Sequence, residues 1–131
     1  MAEYIDADPR DYHAVDWLDK LGLSAHCLVT PSGVIIKTRS DEQIAYHAKG
    51  FNNHSLGIEF LVPGVHTYAT FLQEIKIPYV TDEQYNAGLD QVRDWVSRYG
   101  ITKIFRHSDL DPARKKDPGD GFPWSKFMED L

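Results

Sequence analysis

The chain has 131 residues, enough for one folded domain that spans residues 1–131 and too few for two. Its net charge of -6 and the absence of a basic face argue against a nucleic-acid partner. The single cysteine, Cys27, excludes an internal disulfide and a zinc motif built from several cysteines. Its apolar neighbours predict a buried strand residue.

The beginning of the sequence, MAEYIDADPR, is acidic and lacks the basic and apolar regions of a signal peptide. No apolar run approaches the ~20 residues that a membrane helix needs. We therefore expect no membrane partner. We also expect a protein that is cytoplasmic as synthesised, or that is exported by a route that does not read a signal peptide.

The first half of the sequence predicts a helix, a hairpin and a strand. Asp8 and Pro9 are typical of a helix start, and Gly22 of its end. Two apolar segments, 25–30 and 34–38, flank a Pro-Ser-Gly turn and indicate a β-hairpin. After a polar loop, the segment LGIEFLV (56–62) predicts a strand.

The second half predicts one long helix, a short strand and a charged loop. Residues 64–80 give no clear pattern, whereas Thr81 and Gln84 match a capping box that opens a helix ending at Gly100. Residues 101–106 (ITKIFR) predict a strand, and a loop rich in proline and glycine follows. The expected fold is α/β (α+β), with a mixed central β-sheet flanked by helices.

The six histidines differ in what their positions predict. His26 lies within a predicted strand, where a hydrogen-bonded core histidine is more common than a metal ligand. His47 lies in the loop YHAKGFNNHS together with Asn53, and this composition suits a substrate-facing rim. His107 ends the predicted strand 101–106, so that a regular element would hold it at the edge of a cleft.

Ten residues after His107 comes Asp117, followed by proline and glycine. A histidine nitrogen and a carboxylate oxygen both suit zinc, and a catalytic zinc site uses three protein ligands and one water. Lys115 would place a positive charge near a developing oxyanion. On residue types alone, a solvated charged loop is the more common explanation of such a segment.

Glu59 is an acid in the middle of the apolar segment LGIEFLV. One interpretation places it on the solvent-facing side of an edge strand. The apolar residues on both sides favour burial, which is costly for a carboxylate without a partner or a function. Burial would raise the pKa of the Glu59 carboxyl and suit it to act as a general base toward an attacking water.

Taken together, several segments resemble the zinc-dependent N-acetylmuramoyl-L-alanine amidases. This family includes phage lysins, muropeptide-recycling enzymes and peptidoglycan-recognition proteins. HSDLDPARKKDPG followed by FPW is similar to its C-terminal signature, SAHCLVTPSGVI to its hairpin, and AYHAKGFNNHSLGIEF to its loop and next strand. The segments occur in the family order and cover about residues 9–127.

The resemblance implies a role for each candidate residue. It makes His107 and Asp117 zinc ligands and Lys115 the residue that stabilises the transition state. Where some members have a catalytic tyrosine this chain has Ala25, and in such members a glutamate matching Glu59 takes that role. By the same resemblance, His47 and Asn53 would line the rim of the substrate groove.

The family's first zinc ligand, a histidine on an early strand, has no counterpart in this sequence. Either the chain is a shortened version or it has lost that ligand, with His26 or His47 as conceivable substitutes. The resemblance implies an enzyme that uses zinc to cleave the amide between N-acetylmuramic acid and L-alanine in peptidoglycan or a muropeptide. The alternative is a non-catalytic module that binds the same ligands.

Overall fold

The computed structural model describes residues 25–64 and 66–131. It contains a three-stranded sheet formed by β1 (Cys27–Val29), β2 (Ile35–Lys37) and β3 (Ile58–Phe60). The order is β2-β1-β3, with β1 antiparallel to β2 and parallel to β3. The sheet is therefore mixed, as predicted.

The hairpin between β1 and β2 closes through Thr30. Its backbone NH donates to the Val34 carbonyl at 3.0 Å, and its hydroxyl accepts from the Val34 NH at 3.0 Å. Gly33 has a φ of +85° in this turn, a conformation that glycine adopts without steric cost. All three residues of β1 are fully buried, and this confirms the predicted burial of Cys27.

Helices make up most of the remaining regular structure. A 3₁₀ turn covers Asn52–His54, and the α-helices are α1 (Tyr68–Glu74), α2 (Asp82–Tyr99), α3 (His107–Leu110) and α4 (Trp124–Asp130). None of the helices within 25–64 and 66–131 is both long and apolar enough to span a bilayer. The helix predicted to begin at Pro9 lies outside the described residues.

The long helix α2 begins and ends at the predicted residues. The Thr81 hydroxyl accepts a hydrogen bond from the Gln84 NH at 3.1 Å, and Gly100 ends the helix with a φ of +61°. The buried face of α2 packs with α1, α4 and the residues after β3 in one hydrophobic core. Its buried members are Val62, Phe71, Ile75, Tyr79, Tyr85, Leu89, Val92, Phe122 and Phe127.

The side-chain amide of Gln84 fixes α2 to the sheet. Its nitrogen donates to the carbonyls of Val29 and Leu61, both at 2.9 Å, and the side chain is fully buried. These carbonyls lie at the ends of neighbouring parallel strands. The Gln84 amide therefore supplies the hydrogen bonds that these two carbonyls would otherwise need from water where the strands end.

The segment 101–106, predicted as a strand, is extended but pairs with no strand in the described part of the chain. A cavity of about 870 Å³ is lined both by β3 and by this segment. The pattern of alternating apolar residues favoured a strand, yet a strand also requires a neighbouring backbone at hydrogen-bonding distance. His107 consequently begins the short helix α3 rather than ending a strand.

Candidate active site

Three predicted side chains meet at one end of the large cavity. One ligand atom each from Glu59, His107 and Asp117 lie within 4.8 Å of one another. Nδ1 of His107 is 2.5 Å from Oδ2 of Asp117 and 4.0 Å from Oε1 of Glu59. The same imidazole nitrogen thus faces both carboxylates.

Glu59 lies at the centre of β3, paired in register with Leu28 of β1. The residue is only 9% exposed, so the prediction of a buried acid is confirmed. The interpretation that placed it on a solvent-facing edge is wrong, because the face of β3 that carries Glu59 is covered by His107. A buried carboxylate is tolerated here because it has a polar partner.

His107 is held at the first position of α3. The Asp109 carboxylate accepts from the Arg106 backbone NH at 3.1 Å and from both ends of the Arg106 guanidinium. This interaction fixes the start of the helix and therefore the direction in which the His107 side chain leaves it. The side chain is 15% exposed, which leaves it a narrow contact with solvent.

Two hydrogen bonds to backbone carbonyls, at Asp117 and at Pro118, hold the loop that carries the Asp117 side chain. The Asp117 carbonyl accepts from the Ser108 NH at 3.1 Å, and the Pro118 carbonyl accepts from the Tyr79 hydroxyl at 2.8 Å. Burial, followed by the charges of Asp117 and Glu59, raises the pKa of Tyr79, so its hydroxyl remains a donor. Tyr79 lies in the stretch 64–80, which shows no clear pattern, and no sequence signal identified it.

The charges of the cluster depend on one another. Burial favours the neutral form of His107, but the Asp117 hydrogen bond and the Glu59 charge outweigh it and raise the pKa of His107. Burial likewise opposes ionisation of Asp117, yet the hydrogen bond from His107 lowers the pKa of that carboxyl. His107 and Asp117 thus each stabilise the charged form of the other.

This donor set fits a zinc ion. A nitrogen and two carboxylate oxygens converge from β3, α3 and the loop after α3, and Asp117 is 8% exposed. Zinc takes histidine nitrogen and carboxylate oxygen as ligands, and it would take the place of the hydrogen bond between His107 and Asp117. Zinc bound at such a site polarises a carbonyl and lowers the pKa of water.

His47 packs against the site without joining the cluster. Its ring centroid is 6.4 Å from that of His107, and its Nε2 is 3.1 Å from the Ser55 hydroxyl. A Cβ at position 57 would lie 2.6 Å from the His47 ring, so Gly57 permits this packing. Burial, then electrostatic interaction with the neighbouring His107 and His26 rings, lowers the pKa of His47 to about 4. The imidazole is therefore neutral at neutral pH.

His26 uses both ring nitrogens within the core. Nδ1 accepts from the Gly57 NH at 3.0 Å, and Nε2 lies 2.8 Å from the Gln43 carbonyl, to which it donates. The residue is 1% exposed. The prediction of a hydrogen-bonded core histidine is confirmed, and no nitrogen is left for a metal.

Lys115 and Asn53 lie around the cluster. Lys115 lines a small cleft that also contains His107. Asn53 is exposed on the wall of the large cavity, whereas its neighbour Asn52 closes the loop by accepting from the NH groups of His47 and Ala48. The sequence assigns Asn53 to the rim and does not identify the role of Asn52 in closing the loop.

Comparison with known sequences gives the same family. Residues 2–120 match the family model described as N-acetylmuramoyl-L-alanine amidase. The chain is 32% identical to the 1,6-anhydro-N-acetylmuramyl-L-alanine amidase AmpD of Enterobacter cloacae, covering 94% of this chain and 64% of that protein. The chain therefore spans less than two thirds of this relative's length.

Solved structures share the fold. The amidase AmiD from E. coli, in complex with the substrate anhydro-N-acetylmuramic acid-L-Ala-D-gamma-Glu-L-Lys, aligns with a TM-score of 0.74 and 25% identity over 97% of this chain and 55% of that one. The amidase LysC from Clostridium intestinale URNW aligns at 0.73, with 23% identity over 98% and 78% of the two chains, and shows the fold alone. The chain belongs to the N-acetylmuramoyl-L-alanine amidase family.

Proposed function

We propose that the chain is a zinc-dependent amidase that hydrolyses the bond between N-acetylmuramic acid and L-alanine. The observation that carries this proposal is the convergence of Glu59, His107 and Asp117 on one point at the wall of a large cavity. Family membership supports the same reaction. The anhydro-muropeptides named for the relatives make a soluble 1,6-anhydro muropeptide the substrate proposed here.

His107 and Asp117 are the proposed zinc ligands. Their facing atoms, Nδ1 and Oδ2, lie 2.5 Å apart, and a backbone hydrogen bond from Ser108 to Asp117 holds their two segments together. Deprotonation of His107 on metal binding would leave a neutral nitrogen and an anionic oxygen, the forms that coordinate zinc.

Glu59 is the proposed general base. Its carboxylate is 4.0 Å from the His107 nitrogen, close enough to reach a water at the cluster, and the proposal leaves coordination of the metal to His107 and Asp117. It would take a proton from the attacking water and deliver it to the nitrogen of the leaving L-alanine.

Lys115 is the proposed oxyanion-stabilising residue. It lines the small cleft together with His107, so its ammonium group would act on a carbonyl bound beside that histidine. A fixed positive charge lowers the barrier where negative charge develops on the carbonyl oxygen. His47 and Asn53 are proposed to contact the substrate along the rim.

A second candidate function follows from the number of histidines in the cluster. Among residues 25–64 and 66–131, His107 is the only histidine that joins Glu59 and Asp117. His26 and His47 bond to other groups and do not join the cluster. The described residues therefore offer few ligands, and a site with few ligands would hold zinc weakly. This observation favours a module that binds muropeptides without cleaving them.

Cleavage of a defined substrate distinguishes the two functions. The protein, supplied with zinc, is incubated with anhydro-N-acetylmuramic acid-L-Ala-D-γ-Glu-L-Lys, and the α-amine of L-alanine is followed as it is released. The proposed amidase releases this amine in step with loss of substrate. Saturable binding of the intact substrate without release of the amine would instead establish the binding module.

A further inference from the structure

A second cleft opens beside the cluster. Its volume is about 140 Å³, and it shares His47 and His107 with the large cavity. The cleft therefore adjoins the atoms proposed to hold zinc. A ligand whose reacting bond lies at His107 would extend into it over a length of one or two residues.

The walls of this cleft are rich in positive charge. Lys49, Arg114 and Lys115 line it, and Asp111 is the acid among its lining residues. The chain as a whole carries a net charge of -6, so three cations around one small cleft are a local excess of positive charge. Cations that converge in this way repel one another unless an anion lies between them.

The acid nearby neutralises little of this charge. The ammonium groups of Lys49 and Lys115 form no ion pair with the part of the chain that the structure describes, and the Arg114 guanidinium lies 3.5 Å from the Asp111 carboxylate. The Arg114 side chain is 58% exposed, which leaves its remaining donors directed to solvent. As far as residues 25–64 and 66–131 show, the cleft thus offers donors without a close acidic partner to a ligand anion.

We propose that Lys49 and Arg114 bind the free α-carboxylate of a γ-linked D-glutamate in the substrate's peptide. The proposal rests on the amidase function proposed above. The γ-linkage leaves the α-carboxylate of this residue unbonded, one residue beyond the L-alanine whose amide is cleaved. At about 3.5 Å for each residue, that carboxylate lies roughly 7 Å from the scissile bond, within reach of a cleft that begins at His107.

Lys49 and Arg114 are therefore specificity-determining residues, distinct from Lys115, which acts at the scissile carbonyl. Lys49 comes from the rim loop and Arg114 from the loop that carries Asp117, so the carboxylate would join two separate segments. An α-carboxamide of the same size would keep the shape of the ligand and lose the charge.

The test compares two substrates that differ only at this group. Anhydro-N-acetylmuramic acid-L-Ala-D-γ-Glu-L-Lys is assayed against the same compound with D-isoglutamine, with zinc supplied. We expect the protein to prefer the carboxylate by ~10-fold in kcat/KM, through KM, because a charge-assisted contact is lost in the amide. The double variant Lys49→Gln, Arg114→Gln should lose this preference and keep its activity on the amide substrate.

Lys76→Gln is the matched control, because Lys76 is exposed and lines neither cavity. It should keep the full preference. A double variant that retains the preference, or that loses activity equally on both substrates, would overturn the proposed subsite.

If the protein is not an amidase, binding measurements test the proposed subsite instead of cleavage rates. If neither substrate is cleaved, calorimetric affinities of the two compounds for the wild-type and double-variant proteins decide the question. A preference for the carboxylate that disappears in the double variant supports the subsite without the reaction. Equal affinities, or no binding of either compound, overturn it.

Discussion

Nδ1 of His107 and Oδ2 of Asp117 lie 2.5 Å apart, although ten positions separate the two residues along the chain. The intervening loop leaves α3 and returns so that the Asp117 carbonyl accepts from the NH of Ser108. Glu59 reaches the same nitrogen from β3 at 4.0 Å. A strand, a short helix and the loop after it thus place two carboxylates around a single imidazole.

Glu59→Gln separates the role of a base from that of a ligand. The amide keeps the size of the side chain but does not accept a proton from water, so we expect turnover to fall by at least ~100-fold. Zinc content, measured by elemental analysis on the same preparation, should be unchanged. Loss of zinc from this variant would show that Glu59 is a ligand instead.

His107→Ala removes the nitrogen that faces both carboxylates. We expect the variant to lose bound zinc and all amidase activity, because two carboxylates that repel each other remain. Zinc affinity is measured by competition with a chromophoric chelator. His66→Ala is the control, since His66 bonds the Pro63 carbonyl and Thr70 away from the cluster. Equal zinc affinity in the two variants would contradict the assigned site.

Gln84→Met tests the junction between α2 and the sheet. Methionine fills a similar volume but leaves the buried carbonyls of Val29 and Leu61 without their donor. We expect the free energy of unfolding to fall by about 2–3 kcal/mol, measured by urea denaturation. Gln73→Met, on the exposed side of α1, should change it by less than ~0.5 kcal/mol. A similarly small change for Gln84→Met would show that the two hydrogen bonds contribute little.

Cys27 reports on burial of the central strand. Burial raises the pKa of its thiol to about 11, against 9.0 for an exposed thiol, while Lys37 opposes the shift. At pH 8 the folded protein should therefore alkylate with iodoacetamide far more slowly than the urea-unfolded chain. Between pH 9 and 11 the unfolded chain loses a proton that the folded one keeps, so stability should fall as pH rises through this window. Equal alkylation rates would contradict the buried position of β1.

Local signals in the sequence were sufficient for several elements. The Thr81 cap and the Gly100 stop of α2 depend on neighbouring residues alone, and so does the turn at Gly33. The buried acid at Glu59 followed from its apolar neighbours. For the cap, the stop and the turn, the deciding interaction lies within a few residues, where the chemistry of the side chains is enough.

Contacts between distant segments were not predictable in the same way. Segment 101–106 has strand-forming residues, but pairing depends on what backbone lies beside it, and no described strand does. Tyr79 bonds the Pro118 carbonyl 39 residues away, and nothing near Tyr79 marks it as part of the site. The convergence of Lys49 with Arg114 in one cleft likewise depends on how two loops fold together.

The most direct test of the proposed zinc amidase is a zinc titration of the metal-free protein with an anhydro-muramoyl tripeptide as substrate. Mass spectrometry follows the free tripeptide and the anhydro-N-acetylmuramic acid that cleavage produces. We expect no products without metal, and a rate that rises with added zinc and saturates at one equivalent per chain. Full cleavage in the presence of a strong chelator, or a zinc-loaded protein that binds the substrate and leaves it intact, would contradict the proposal.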